Sequence, residues 1–148
     1  MRRLCSIAFL LLLVAACHES PTAPVSDLNA IAVSVSVAPN IIVAGAKANV
    51  VVSLRNTSAH PVVISACPIY FWVQGKGGQI VGGSNGVYCF AGTFVYQPLR
   101  FGPFERKQLA FEWGETQNVA PGLYDVFGWV NIPERASTPV GITVLPAN

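Results

Sequence analysis

The chain has 148 residues, of which 52% are hydrophobic and 11% are charged, with a formal net charge of +2 and four cysteines. This length fits one domain of common size and allows a buried core that needs no metal or set of disulfides. The apolar content excludes a disordered chain. The small net charge argues against a nucleic-acid binder, which would carry a basic patch.

The N-terminus has the layout of an export signal. A short basic start, Met1-Arg2-Arg3, precedes an apolar run from Leu4 to Ala16 that ends in small residues. The run is shorter than the roughly 20 apolar residues that a membrane-spanning helix needs. We therefore interpret residues 1–16 as a signal peptide that is removed.

The end of this run, Val14-Ala15-Ala16-Cys17, resembles the bacterial lipobox. The resemblance implies cleavage before Cys17 and lipidation of its thiol, so that acyl chains anchor the mature protein to a membrane of the cell envelope, facing periplasm or exterior. Ordinary secretion is the alternative, because Val14 and Ala16 also suit a conventional signal peptidase. Residues 17–29 are polar and contain prolines, which predicts a flexible tether behind the lipidated cysteine.

From residue 30 to residue 148 the hydrophobic pattern has a period of two. Short β-branched runs alternate with polar or small residues and are bounded by glycine, proline and asparagine, which is typical of half-buried strands. No segment shows an amphipathic helix with caps. The pattern predicts an all-β, immunoglobulin-like antiparallel β-sandwich of about seven to nine strands. The clearest runs are centred on Ile31–Val37, Val50–Leu54, Leu109–Trp113 and Val140–Val144.

Two cysteines, Cys67 and Cys89, belong to this domain. A cysteine pair in an exported chain favours a disulfide, which would stabilise the fold by roughly 3 kcal/mol. A zinc site is the alternative, but His60 is the only histidine of the domain and no four-ligand set can be assembled. We therefore predict a disulfide and neither a metal nor a cofactor.

Several motifs follow one another between Val50 and Trp129. They are a strand ending in Leu54-Arg55-Asn56-Thr57-Ser58, the aromatic strand Tyr70-Phe71-Trp72-Val73, the strand Arg106–Trp113 and the turn-strand Pro121-Gly122-Leu123-Tyr124-Asp125-Val126. In this order they resemble the BsuPI domain, a family named after a bacterial intracellular proteinase inhibitor. The resemblance implies a β-sandwich and raises protease inhibition as a function. Where the family has a Pro-Gly-Glu turn, this chain has Gly102-Pro103-Phe104-Glu105.

Catalysis finds little support in the sequence. A hydrolase needs a histidine oriented by a carboxylate beside a nucleophile, and His60 lies in a predicted turn without such a partner. The acidic residues are scattered and fall on predicted outward positions. Asn56-Thr57-Ser58 matches a glycosylation sequon, which we interpret as a turn. The chain is therefore predicted not to be an enzyme.

Aromatic residues give the best indication of binding. In the strand from Tyr124, Phe127 and Trp129 are predicted to project from the face opposite the core, as a partner-binding patch or beneath a covering segment. A second candidate is the long connection from Gly82 to Phe104, which carries Tyr88, Phe90 and Arg100. The sequence thus favours a lipid-anchored, non-enzymatic protein-binding module. Inhibition of an envelope serine protease through the connection, or a purely structural role in the envelope, is the alternative.

Overall fold

The computed structural model describes residues 28–64, 69–84, 99–114, 119–131 and 134–147. The predicted signal peptide at 1–16, the anchor Cys17 and both cysteines of the predicted disulfide, Cys67 and Cys89, lie outside the described residues. So do Tyr88 and Phe90. Within the described ranges, no helix is long and apolar enough to cross a membrane.

Eleven strands are found in the described residues, preceded by a short 3-10 turn at Leu28–Ala30. The strands are β1 (Ile31–Ala38), β2 (Ile41–Val43), β3 (Ala48–Asn56), β4 (Val62–Ile64), β5 (Ile69–Gly75), β6 (Ile80–Gly83), β7 (Leu99–Phe101), β8 (Arg106–Trp113), β9 (Gly122–Asn131), β10 (Glu134–Ala136) and β11 (Val140–Leu145). The all-β, immunoglobulin-like β-sandwich predicted from the sequence is confirmed.

The strands form two main sheets and a small one. The first sheet has the order β1-β3-β8, and the second has the order β2-β11-β9-β5-β6, with β10 paired to β9. Strands β4 and β7 pair with each other. All pairings are antiparallel except that of β2 with β11, which is parallel. The sequence had predicted antiparallel sheets, and this one exception arises because the chain crosses from the first sheet to the second between β1 and β2.

The core lies between the facing sides of the two main sheets, as the alternating pattern predicts. Val50, Val52 and Leu54 of β3 are fully buried, whereas Val51 between them is half-buried and the flanking Asn49 and Arg55 are exposed; Ser53 is also buried, on the outer side of the strand. The opposing sheet contributes buried side chains from β5, β9 and β11, which are Phe71, Val73, Val126, Val130, Ile142 and Val144. Burial of such side chains contributes roughly 1.5–3 kcal/mol each relative to exposure.

Gly128 lies where the two sheets pack closely on each other. A Cβ at this position of β9 would lie 3.1 Å from Val52 Cγ1 and 3.3 Å from Val35 Cβ. The absence of a side chain therefore lets β1 and β3 pack directly on the β9 backbone. This fixes which side of β9 faces inward and, because side chains alternate along a strand, which side faces out.

A buried asparagine joins two turns at one end of the sandwich. Asn56, at the end of β3, is fully buried, and its Nδ2 donates to the carbonyl oxygens of His60 (2.7 Å) and Gly102 (2.8 Å). Its Oδ1 accepts from the backbone N–H of Ser58 at 2.9 Å and from Ser58 Oγ at 2.8 Å. The sequon therefore forms a turn, as predicted, and its amide is engaged inside the fold.

The structure moves the start of the domain slightly towards the N-terminus. Leu28 and Asn29, assigned from the sequence to the tether, lie in the 3-10 turn, and Asn29 Oδ1 accepts a hydrogen bond of 2.7 Å from Arg135 Nη2. The strand count also exceeds the predicted seven to nine. The additional strands are only three or four residues long, too short to show a period.

Candidate functional site

Four aromatic side chains form a cluster on the outer face of the second sheet. Phe127 and Trp129 lie on β9 and project away from the core, as the sequence predicts. Tyr70 and Trp72 lie on β5, where Tyr70 pairs with Trp129 and Trp72 with Phe127. All four side chains are partly exposed. We call this set, Tyr70, Trp72, Phe127 and Trp129, the aromatic cluster.

The rings of the cluster contact one another across the two strands. Trp72 and Phe127 are nearly parallel, with centroids 5.1 Å apart and an interplanar angle of 14°. The ring centroid of Trp129 lies 4.0 Å from that of Tyr70 and 6.0 Å from that of Trp72, both in edge-to-face arrangements with interplanar angles of 63° and 76°. Such pairs contribute about 0.5–1.5 kcal/mol each beyond the area they bury. The contacts hold the four rings against one another across β5 and β9.

Small residues flank the cluster on both sides. Gly83 of β6 pairs with Trp72, and Ala136 of β10 pairs with Trp129. A Cβ on Gly83 would lie only 2.5 Å from the carbonyl oxygen of Phe71, so this position requires glycine. Neither flanking residue carries a large side chain that could cover the cluster from the neighbouring strands β6 and β10.

A second apolar strip lies on the same outer face, towards β2. Its members Ile41, Val43, Leu123 and Leu145 are 57%, 43%, 53% and 43% exposed. Asp125, which is also exposed, lies between Leu123 and Phe127 on the outward side of β9 and pairs with Gln74 of β5. The outer face thus presents an aromatic region and an aliphatic region with one carboxylate between them.

Of the predicted binding connection from Gly82 to Phe104, the structure describes residues 82–84 and 99–104. Arg100 is exposed on β7, which pairs with β4 and does not join the sheet that carries Phe127 and Trp129. Phe101 is buried, with Lys107 Nζ 5.5 Å from its ring centroid. The end of the connection is therefore a core-forming strand, and Arg100 is not brought together with the aromatic cluster.

The turn after β7 presents an exposed aromatic residue. Phe104 is 55% exposed and has a φ of 57°, a left-handed conformation that favours glycine. Glu105 Oε2 accepts a hydrogen bond of 2.6 Å from the Gly102 N–H, and Oε1 lies 3.3 Å from Lys107 Nζ. The Gly102 hydrogen bond, followed by the Lys107 ammonium, lowers the pKa of Glu105 below its ordinary value of 4.5.

The described residues offer no metal-binding cluster, since no group of three or more His, Cys, Asp or Glu side chains is found among them. His60, the one histidine of the domain, is exposed in the turn between β3 and β4. Its backbone carbonyl accepts hydrogen bonds from Asn56 and Ser58. His60 thus contributes its backbone carbonyl to the hydrogen bonds that hold this turn.

No family model and no curated protein sequence matches the chain. Solved structures resemble it at low sequence identity. The alkylpurine DNA glycosylase AlkC of Pseudomonas fluorescens, bound to DNA with an abasic site analogue, is 15% identical with a TM-score of 0.52, over 78% of this chain and 30% of that one. The β-glucosidase EmGH1 of Erythrobacter marinus is 15% identical with a TM-score of 0.50, over 78% of this chain and 15% of that one.

The CARDB domain of a Pyrococcus furiosus protein, solved with di-metal ions, is 15% identical with a TM-score of 0.48, over 79% of this chain and 94% of that one. The matched region spans most of the CARDB domain but less than a third of AlkC and of the β-glucosidase. At these identities the similarity concerns the fold alone.

Sequence reasoning found half of the aromatic cluster. The sequence places Tyr70 and Trp72 in an aromatic strand but gives no sign that they meet Phe127 and Trp129. The same alternation that places Phe127 outward also assigns Phe71 and Val73 to the core and Tyr70 and Trp72 to the outside. What the sequence does not contain is the pairing of β5 with β9, which brings the two pairs together.

Proposed function

We propose that this chain is a lipid-anchored, extracytoplasmic, non-enzymatic module that binds a protein partner through the aromatic cluster. The aromatic cluster is the single observation that carries the proposal. Tyrosine and tryptophan are enriched among the residues that contribute most to protein–protein binding. Rings held in place by mutual contact lose little conformational freedom when a partner binds, which favours affinity.

Stabilisation of the sheet alone accounts less well for this arrangement. Cross-strand aromatic pairs do stabilise sheets, but one pair placed inward would do so without leaving rings in contact with water. Here two pairs lie side by side on the outer face, flanked by Gly83 and Ala136. Contiguous exposed apolar surface is typical of interaction sites. Shape and composition therefore both support a docking surface.

The proposed location of the module at a membrane is supported by the N-terminal sequence. The lipobox-like Val14-Ala15-Ala16-Cys17 supports an anchor on Cys17, and the tether before Leu28 would leave the domain beside the membrane with the aromatic cluster available to other envelope proteins. Replacing Cys17 with alanine and fractionating the cells tests this part separately. Release of the protein from the membrane fraction is expected, and full retention would contradict the anchor.

Photocrosslinking tests the binding surface directly. A photoreactive phenylalanine analogue at Phe127 should capture one dominant protein in intact cells, because this ring lies in the middle of the outer face. The same analogue at Ile80, which is 70% exposed in β6, serves as the control. Capture at both positions or at neither would contradict a specific site on the aromatic cluster.

A titration with the purified captured protein then measures affinity. Trp129→Ala is expected to weaken binding by about 30-fold, the effect of losing roughly 2 kcal/mol at a binding hot spot. Leu123→Ala is the matched control, since Leu123 is 53% exposed on the same face of β9 but lies outside the aromatic cluster. Equal affinities for both variants would contradict the proposal, and a purely structural envelope role would then be favoured.

Protease inhibition through the Gly82–Phe104 connection is the second candidate, favoured by the turn at Phe104. This side chain protrudes from a turn whose backbone is tied to the rest of the domain, because Phe104 N donates to Ser58 O at 3.2 Å and Asn56 holds Gly102. A rigid, exposed aromatic residue suits insertion into a protease specificity pocket. Saturable, stoichiometric inhibition of a serine protease, lost in Phe104→Ala, is expected if this function holds; an unaffected protease panel would remove it.

A further inference from the structure

Strand β1 forms an open edge of the first sheet. It pairs with β3 along its whole length, and in the described part of the chain no strand lies on its other side. Natural proteins guard such edges with charged residues, proline, bulges or very short strands. Strand β1 has none of these, since it is the eight-residue sequence IAVSVSVA in continuous register with β3.

The other edges of the two main sheets are guarded. Strand β8 carries Arg106, Lys107 and Glu112, and β2 has only three residues. Strand β6 has four residues, and its register with β5 shifts between Val73 and Gln74. Among the described edges of the main sheets, β1 is therefore the one best suited to accept another strand.

The hydrogen-bonding phase of β1 shows which backbone groups point outward. In an antiparallel pair, hydrogen-bonded and non-hydrogen-bonded residue pairs alternate. Thr57 N donates to Ala30 O at 2.7 Å, so the next pair, Ile31 with Asn56, is of the non-hydrogen-bonded kind. In agreement, Asn56 N donates to Glu105 O on the other side of β3 at 2.9 Å.

The odd-numbered residues of β1 therefore direct their N–H and C=O groups away from β3. The first of them is partly engaged, because Arg135 Nη1 lies 3.5 Å from Ile31 O. The outward groups that follow are those of Val33, Val35 and Val37.

The sequence of this edge is self-complementary. Residues 32–38 read Ala-Val-Ser-Val-Ser-Val-Ala in both directions, with Val35 at the centre. If a second β1 lies antiparallel with Val35 opposite Val35, then Val33 lies opposite Val37 and Ser34 opposite Ser36. The hydrogen-bonded pairs of this register are formed by the three valines, whose backbone groups point outward. Sequence symmetry and hydrogen-bonding phase thus select the same register.

We propose that β1 pairs antiparallel with β1 of a second copy of this chain, about a two-fold axis at Val35. The two three-stranded sheets become one continuous six-stranded sheet, and the interface is isologous. Val33, Val35 and Val37, which are only partly buried in the single chain, gain lateral cover from the same valines of the other copy. The exposed Ser34 and Ser36 lie opposite each other on the solvent side.

Sedimentation equilibrium of the full chain in a mild detergent tests this pairing. Ser34→Lys/Ser36→Lys places lysines opposite lysines, and like charges directly opposite are destabilising. Because both serines are exposed on the outer face, the change leaves the core untouched. Ala110→Lys/Glu112→Gln changes the charge by the same +2 on the outer face of the opposite edge strand β8, at two exposed residues, and serves as the matched control.

We expect a monomer–dimer equilibrium for the wild-type chain and the β8 variant, and at least about a tenfold higher dissociation constant for the β1 lysine variant. A mixture of that variant with Ser34→Glu/Ser36→Glu should restore a heterodimer, which a folding defect would not allow. Trp129→Ala should dimerise like wild type, so this test is separate from that of the aromatic cluster. A wild-type chain that stays monomeric up to about 1 mM, or a dimer unaffected by the β1 lysines, would overturn the proposal.

Discussion

The fully buried Asn56 side chain should contribute a large share of the stability of the domain. Its four hydrogen bonds, to His60 O, Gly102 O, Ser58 N and Ser58 Oγ, are between 2.7 and 2.9 Å long. Each such bond contributes about 1 kcal/mol net, and a buried group left without a partner costs about 1–3 kcal/mol. Asn56→Ala removes all four bonds.

The loss is moderated because three of the four partners, His60 O, Gly102 O and Ser58 Oγ, keep another hydrogen bond. His60 O still accepts from Ser58 Oγ at 3.0 Å, and Gly102 O still accepts from Glu105 N at 3.2 Å. Ser58 N loses the one acceptor that the structure gives it. We therefore expect the free energy of unfolding to fall by about 3 kcal/mol in Asn56→Ala.

Urea unfolding followed by tryptophan fluorescence measures this change, since Trp113 is buried and becomes exposed on unfolding. Asn49→Ala is the matched control, because Asn49 lies on the same strand but is exposed; its effect should stay within about 0.5 kcal/mol. A loss in Asn56→Ala below about 1 kcal/mol, or equal to that of Asn49→Ala, would refute the role assigned to this side chain.

Three further predictions concern the turns. Gly114→Ala should lower the free energy of unfolding by more than about 3 kcal/mol, because φ is +121° and a Cβ would collide with Ala46 O. The control Gly141→Ala, where a Cβ would meet open space, should change it by less than about 1 kcal/mol, and equal urea midpoints for the two variants would contradict the prediction. Phe104→Gly should raise stability by about 0.5 kcal/mol and Phe104→Val should lower it, since the left-handed conformation favours glycine; the reverse order in thermal melts would contradict it. Glu105→Gln should be less stable than wild type at pH 7 and as stable as wild type in acid. The reason is that a lowered carboxyl pKa stabilises the fold above pH 4.5, and this contribution is lost as the pH falls through the lowered pKa. A stability difference that does not depend on pH would contradict the role assigned to the Glu105 carboxylate.

The sequence predicted the faces of the long strands well. In β1, β3, β8, β9 and β11 the residues predicted to face inward are more buried than their neighbours along the strand, because side-chain direction along a strand is a local property. The aromatic residues of β9 could be placed outward for the same reason. The outward position of Phe127 and Trp129 was therefore predictable without any knowledge of neighbouring strands.

Strand pairing and the shortest strands were not predictable from this pattern. Besides the adjacent β10, β9 pairs with residues 69–75 and 140–144, so the meeting of Trp72 with Phe127 depends on a segment distant in sequence. Segments such as Leu99–Phe101 hold too few residues to show a period, and this one was assigned to a connection. Arg100, predicted as a binding residue of that connection, lies on a strand of a separate two-stranded sheet.

The parallel pair β2–β11 has a mechanical consequence. Ile41–Val43 belongs to the N-terminal side of the chain and Thr143–Leu145 to its C-terminal side, and the two segments run in the same direction. Tension that reaches this pair from the two sides therefore pulls the strands past each other. The hydrogen bonds that join them, including Thr143 N to Asn40 O and Ala44 N to Leu145 O, both 2.9 Å, then carry the load together. A domain pulled between an anchor and a distal attachment would resist extension in shear, whereas the β5–β6 hairpin, pulled at its open end, would separate one hydrogen bond at a time.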